Sequence, residues 1–278
     1  MWATYIRLPS PQDAVQNMHN WRLQTGIPGI VGAIDGTHIH IQRPCNHGEA
    51  YFNRKSFYSL NVQGTSFPIA VRLLLILAMV DYKKKIIDLE AGWPGSVGDG
   101  RIWNCSMLKK TIDAWISKLP TAFLPTGVHA NGDEVNEDIP PFILGDSAYP
   151  NTRHMVTTYK TTEILSSPVI HELNKKLGGA RYQVENAFGI LKARFQIFKR
   201  PLECAQEDVR LAIALTSSIF ILHNFLIEVH DVVNDSLDPE VENRHVRNED
   251  DYYNQEDEDT SSRDILLRHI RYIMDADN

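Results

Sequence analysis

Apolar residues change their period several times along the chain, and each change marks an element. Residues 29–42 alternate with period two, which predicts a strand with Val31, Ala33, Thr37 and Ile39 on one face. Asp35 falls on that same face, in the middle of the run GAIDGTHIHI. Residues 56–66 and 84–92 predict two more strands, the second followed by the Pro-Gly turn WPGS. Ile102, Trp103, Leu108, Ile112 and Ile116 recur at helical spacing and predict a helix over 100–118. PFILGD at 141–146 reads as a short buried strand that ends on a carboxylate. Two long helices follow, one amphipathic at 178–199 and one apolar enough to be buried at 206–230. A helix near 11–24 in a polar lead-in and an amphipathic helix at 261–274 complete the pattern, which has no internal repeat. The expected class is α/β, with a mixed central sheet flanked by helices.

A chain of 278 residues with 43% hydrophobic content can bury one substantial core. Three cysteines, at 45, 105 and 204, have no paired spacing, so a disulfide framework is not expected and a reducing compartment is. The first 21 residues lack the apolar core of a signal peptide, and no apolar run reaches the roughly 18 residues of a membrane span. FPIAVRLLLILAMV at 67–80 comes nearest, and it contains Arg72. No membrane association is expected. The net charge of −7 is concentrated: residues 238–259 carry ten acidic against two basic side chains, which leaves the rest of the chain at +1. The natural domain boundaries are therefore a lead-in over 1–28, a core over 29–230, and an acidic, largely disordered tail over 231–278 with a terminal helix.

Asp35 poses the chemical question, because a buried carboxylate costs several kcal/mol unless it is paired or holds a metal. Asp146 ends a strand, where open α/β sheets place ligands. Glu185, in RYQVENAFGILKARF, shares a helical stripe with Arg181, Phe188 and Lys192. Two strand aspartates and a helix glutamate suit hard divalent cations, which take oxygen ligands. Each also has an ordinary reading: a hydrogen-bonded strand residue, a turn former, a helix ion pair. His38, His40, Cys45 and His47 match no common zinc template. Arg181, Lys192, Arg194, Lys199 and Arg200, with Phe195 and Phe198, could track phosphates or could simply form an amphipathic surface. His223 and Asn224 read best as hydrogen-bonded core residues.

Six segments in order, GIVGAIDGTHIHI, YFNRKSFYSLNVQ, AGWPGSVGDGRIWNCS, ILGDSAYP, TTYK and RYQVENAFGILKARF, resemble the DDE transposases of the PIF/Harbinger group and their domesticated nucleases. The resemblance spans about 28–228. It implies an RNase H-like fold and a metal-dependent nuclease or transposase core acting on DNA phosphodiesters. Asp35, Asp146 and Glu185 would be the catalytic triad and the ligands of Mg²⁺ or Mn²⁺. It implies DNA contacts for Arg181, Lys192 and Arg194, and places Tyr159-Lys160 near DNA. It also implies a nuclear location and a separate Myb/SANT-like partner; a homo-oligomer is compatible with it.

The chain departs from the family pattern in places. Gly98-Asp99 stands where the family has His-Asp, and Asp99 is either an accessory acid or a helix N-cap. Ala148 replaces a glycine in the turn after Asp146. The lead-in is short where relatives carry a helix-turn-helix region. Residues 64–79 interrupt a hairpin that is continuous in the family, which suggests a retained intron or a gene-prediction error; otherwise the segment adds an apolar loop or a helix beside the sheet. Such departures motivate the alternative, a domesticated or decayed protein that binds DNA or protein without cutting.

Overall fold

The structure is a computed structural model that describes residues 5–53, 55–61, 76–91, 93–94, 96–164, 167–230 and 261–276. In chain order its elements are α1 (Pro11–Thr25), β1 (Ile30–His40), β2 (Ser59–Asn61), β3 (Ile76–Val80), β4 (Ile86–Ala91) and β5 (Trp93–Pro94). Then come α2 (Asp99–Cys105), α3 (Met107–Ile116), β6 (Ala122–Val128), β7 (Glu134–Ile139), β8 (Phe142–Gly145) and β9 (Met155–Thr157). The helices α4 (Thr161–Ile164), α5 (Pro168–Arg194), α6 (Val209–Glu228) and α7 (Ser262–Ala276) follow.

The main sheet is mixed. Among the described residues it runs β4-β3-β1-β2-β5, with β8 also bonded to β1 and β9 to β8. β1, β8 and β9 are parallel, with Ala33 opposite Leu144 and Leu144 opposite Val156. β3 and β4 form an antiparallel hairpin, and β2 is antiparallel to both β1 and β5. β1 is long enough to serve three neighbours because its buried stretch, Ile30 to Asp35, offers side chains that pack on both faces.

Contacts separate the chain into two compact units. The first holds residues 35–109 and 184–251 together with the first eight. Its hairpin β3–β4 is fastened by α6: Ile86 N–H donates to Asn224 Oδ1 at 2.8 Å, and Asn224 Nδ2 donates to Ile86 O at 2.7 Å and to Tyr5 O at 2.8 Å. One side-chain amide thus serves a strand edge the way a neighbouring strand would. His223, fully buried, bonds through Nε2 to Lys84 O.

The second unit holds 9–34, 110–183 and 252–278. α1 starts at Ser10, whose Oγ accepts from Asp13 N, with Pro11 at the first turn, and stops at Gly26 in the left-handed region. Asn17 Nδ2 donates to Val31 O at 2.6 Å, and Trp21 is fully buried. The lead-in is therefore part of the core. α7 packs Ile265, Leu266 and Ile270 inward against the β6–β7 hairpin; Arg268 Nε donates to Glu137 at 2.7 Å, and Arg263 lies 4.1 Å over the Tyr159 ring.

Several expectations need correction. The helix over 100–118 breaks at buried Ser106, whose Oγ accepts from Lys109 N and caps the second piece, while Glu90 accepts from Met107 N. The helix expected from 178 begins at Pro168 and runs through Gly178-Gly179. Residues 76–79, read above as part of a retained intron or gene-prediction error and otherwise as an apolar loop or added helix, are a strand with Ala78 and Met79 fully buried; 64–75 lie outside the described residues, as do 231–260 of the acidic tail. α6 is long and apolar enough to cross a membrane by length and composition, although no such run was expected. Its buried His223 and Asn224, bonded to β4 and the turn before it, account for the apolar character as that of a packed helix.

Candidate metal centre

Asp35 shares the buried face of β1 with Val31, Ala33, Thr37 and Ile39 and is 6% exposed. Its Oδ1 accepts from Gly36 N–H at 2.9 Å. Asp146 follows directly after β8 and is also 6% exposed; its Oδ1 accepts from Ala148 N–H at 2.9 Å, and its carbonyl accepts from Tyr149 N–H. The parallel register sets Ala33 against Leu144, just before Asp146. Ala148 has no positive φ, so the turn takes alanine without strain. Gly145, in contrast, is obligatory for packing: a Cβ there would lie 2.8 Å from Tyr149 Cδ2 and 3.1 Å from Met155 Sδ.

Asp99 opens α2. The N-cap is Gly98, in extended conformation and without a side-chain cap bond, so the N-cap role weighed for Asp99 falls away. Its carboxylate instead lies against the backbone of Gly36. Asp35 and Asp99, both in the first unit, each offer a carboxylate oxygen, and those two oxygens lie within 4.8 Å of each other. Carboxylates so close repel strongly in a partly buried setting, and a divalent cation is the ordinary means of neutralising them. The donor set, all oxygen, fits Mg²⁺ or Mn²⁺ and does not favour a soft metal.

Glu185 does not join that group. It lies exposed on α5, one residue after buried Val184, while Phe188, expected on its stripe, is buried. Arg181, Lys192 and Arg194 are half-buried on the same helix, and Lys199 and Arg200 are exposed beyond it. Phe198 is buried, so it serves packing and is closed to base stacking. Tyr159, under Arg263, is buried as well, and burial raises its hydroxyl pKa; neighbouring Lys160 is exposed. His38 bonds to Ser59 Oγ and His40 stacks on Phe57 at 3.9 Å. Asp99 had a signal in the sequence, its place in the Gly-Asp pair after the WPGS turn, but its partner Gly36 is 63 positions away and only the fold joins them.

The sequence profile of the DDE superfamily endonuclease family matches residues 34–224, a stretch that contains Asp35, Asp99, Asp146 and Glu185. Among curated proteins the chain is similar to human HARBI1, a candidate nuclease by name, at 22% identity over 225 residues, covering 81% of this chain and 54% of that protein. HARBI1 of Rattus norvegicus is 23% identical over the same length, and the ALP1-like protein of Arabidopsis thaliana 24% over 238 residues, which is 82% of this chain and 50% of that one. The chain thus spans about half the length of the curated relatives it matches. No solved structure matches it. Because the profile covers well over half of the sequence, this chain belongs to the DDE superfamily endonuclease family.

Proposed function

We propose that the chain is the catalytic core of a metal-dependent DNA endonuclease or transposase, with Asp35, Asp146 and Glu185 as its catalytic acids. The observation that carries this reading is the close pair of carboxylates on β1 and at the start of α2. The sheet supports it: an antiparallel hairpin β3–β4 and three parallel strands β1, β8 and β9 are what an RNase H-like fold would have, with one acid on β1 and another just past β8.

Asp35 and Asp146 would hold a Mg²⁺ or Mn²⁺ ion, each fixed by a backbone N–H within its own segment. Such an ion, when bound, would supply activation of an attacking water or 3′-hydroxyl and stabilisation of the charge that develops on the phosphate. Glu185 would complete the ligand set from α5, and Arg181, Lys192 and Arg194 would hold DNA phosphates as point charges and hydrogen-bond donors. DNA as substrate, a nuclear location, a Myb/SANT-like partner and a homo-oligomer belong to this proposal.

One observation favours a second reading, a protein that binds without cutting: Glu185 is exposed and stands outside the acidic group. Relaxation of supercoiled plasmid in Mn²⁺ separates the two. Asp35→Asn and Glu185→Gln are expected to lower nicking at least about a hundredfold; equal nicking by wild type and both variants would refute the catalytic assignment.

A further inference from the structure

Glycine at 36 is not required by its backbone, since its φ lies outside the left-handed region; what excludes a side chain is Asp99. A Cβ built on residue 36 would sit 2.5 Å from Asp99 Oδ1, 2.9 Å from Cγ and 3.2 Å from Oδ2. The carboxylate therefore fills the space above the strand immediately after Asp35. Any larger residue at 36 would push it out. Gly98 contributes in a different way: it takes the N-cap position with backbone alone, so the helix does not need Asp99 as its N-cap residue. A sequence built merely to begin a helix would do better with Asp, Ser or Thr one residue earlier.

Resting on the metal-site reading above, we propose that Asp99 is itself a ligand of the divalent cation, alongside Asp35, and that Gly36 is the residue that admits it. The acid is delivered from α2 in the same unit as Asp35, so that pair is preset by packing between one strand and one helix start. Position 36 then acts as a positioning residue. It carries no ligand atom, yet its lack of a side chain sets where the Asp99 oxygen lies.

The full chain titrated with Mn²⁺, with free ion read from its EPR signal, tests this without any cleavage reaction. Asp99→Asn is expected to weaken Mn²⁺ binding about ten- to a hundredfold. Gly36→Ala should weaken it to a similar extent, because the clash is with the movable end of a side chain, so Asp99 yields and the strand does not. The two changes combined should cost little more than either alone. Binding by Asp99→Asn equal to wild type, while Asp35→Asn has lost it, would overturn the inference and leave the metal-site reading standing. A wild type that takes up no Mn²⁺ would overturn both. Should Gly36→Ala fail to fold, as judged by circular dichroism, Asp99→Asn and Asp99→Glu decide the matter alone.

Discussion

At the scale of single residues, two buried polar side chains of α6 fasten the β3–β4 hairpin. Asn224 replaces a missing strand for Ile86, and His223 lies beside it with Nε2 on the Lys84 carbonyl. Burial lowers the His223 pKa from its ordinary value to about 4, with the bond to Lys84 opposing the shift, so the ring is neutral in the folded protein. The unfolded chain takes up a proton near pH 6.5 and the folded one does not. Stability tied to His223 is thus fully present above pH 6.5 and is lost as pH falls towards 4. Between pH 7 and pH 5, urea denaturation should show wild type losing roughly 2 kcal/mol more than His223→Gln, whose amide can keep the bond to Lys84 O. Parallel losses in the two proteins would contradict this. Sequence reading identified this histidine as a core residue, since His-Asn lies within an apolar helix, but not its partner, which lies 139 positions away.

At the scale of elements, what was legible depended on whether the signal was local. β1, β8, α1 and α6 follow their hydrophobic period, and each is found within a few residues of its expected place. α5 was cut short because Gly178-Gly179 reads as punctuation, whereas in the protein the tertiary packing of buried Leu173, Leu177, Ala180 and Val184 carries the helix through both glycines. Nothing lies within 4 Å of a Cβ built at Gly179, and its φ is ordinary. Gly179→Ala is therefore expected to stabilise the protein by about 1 kcal/mol, measured as a higher urea midpoint with unchanged slope. A lower midpoint would mean that the glycine pair serves an approach not seen in the fold. The β6–β7 hairpin had no clear period to announce it, because Pro125 and Gly127 interrupt its first strand and half of the second is acidic. Likewise the strand at 76–80 was hidden inside an apolar run that matched neither strand nor helix spacing, and only its pairing with β4 defines it.

At the scale of the whole molecule, the candidate site illustrates the same division. Asp35 and Asp146 were legible because each ends or interrupts an apolar strand, an arrangement that hydrophobic burial alone does not tolerate. Asp99 was ambiguous, since its role depends on a glycine far away in sequence; the group it joins is a property of the fold. Glu185 was chosen for its motif, and the structure leaves it exposed and outside that group. The central claim is that the carboxylates form a working cation site, and the thermal midpoint of the purified protein with and without Mn²⁺ tests it most directly. Without metal, Asp35→Asn should melt no lower than wild type, because it removes one of two closely spaced carboxylates. With Mn²⁺ at a hundredfold excess over its Kd, wild type should gain roughly 5–10 °C and Asp35→Asn nothing. An equal gain in both proteins, or none in wild type, would contradict the claim.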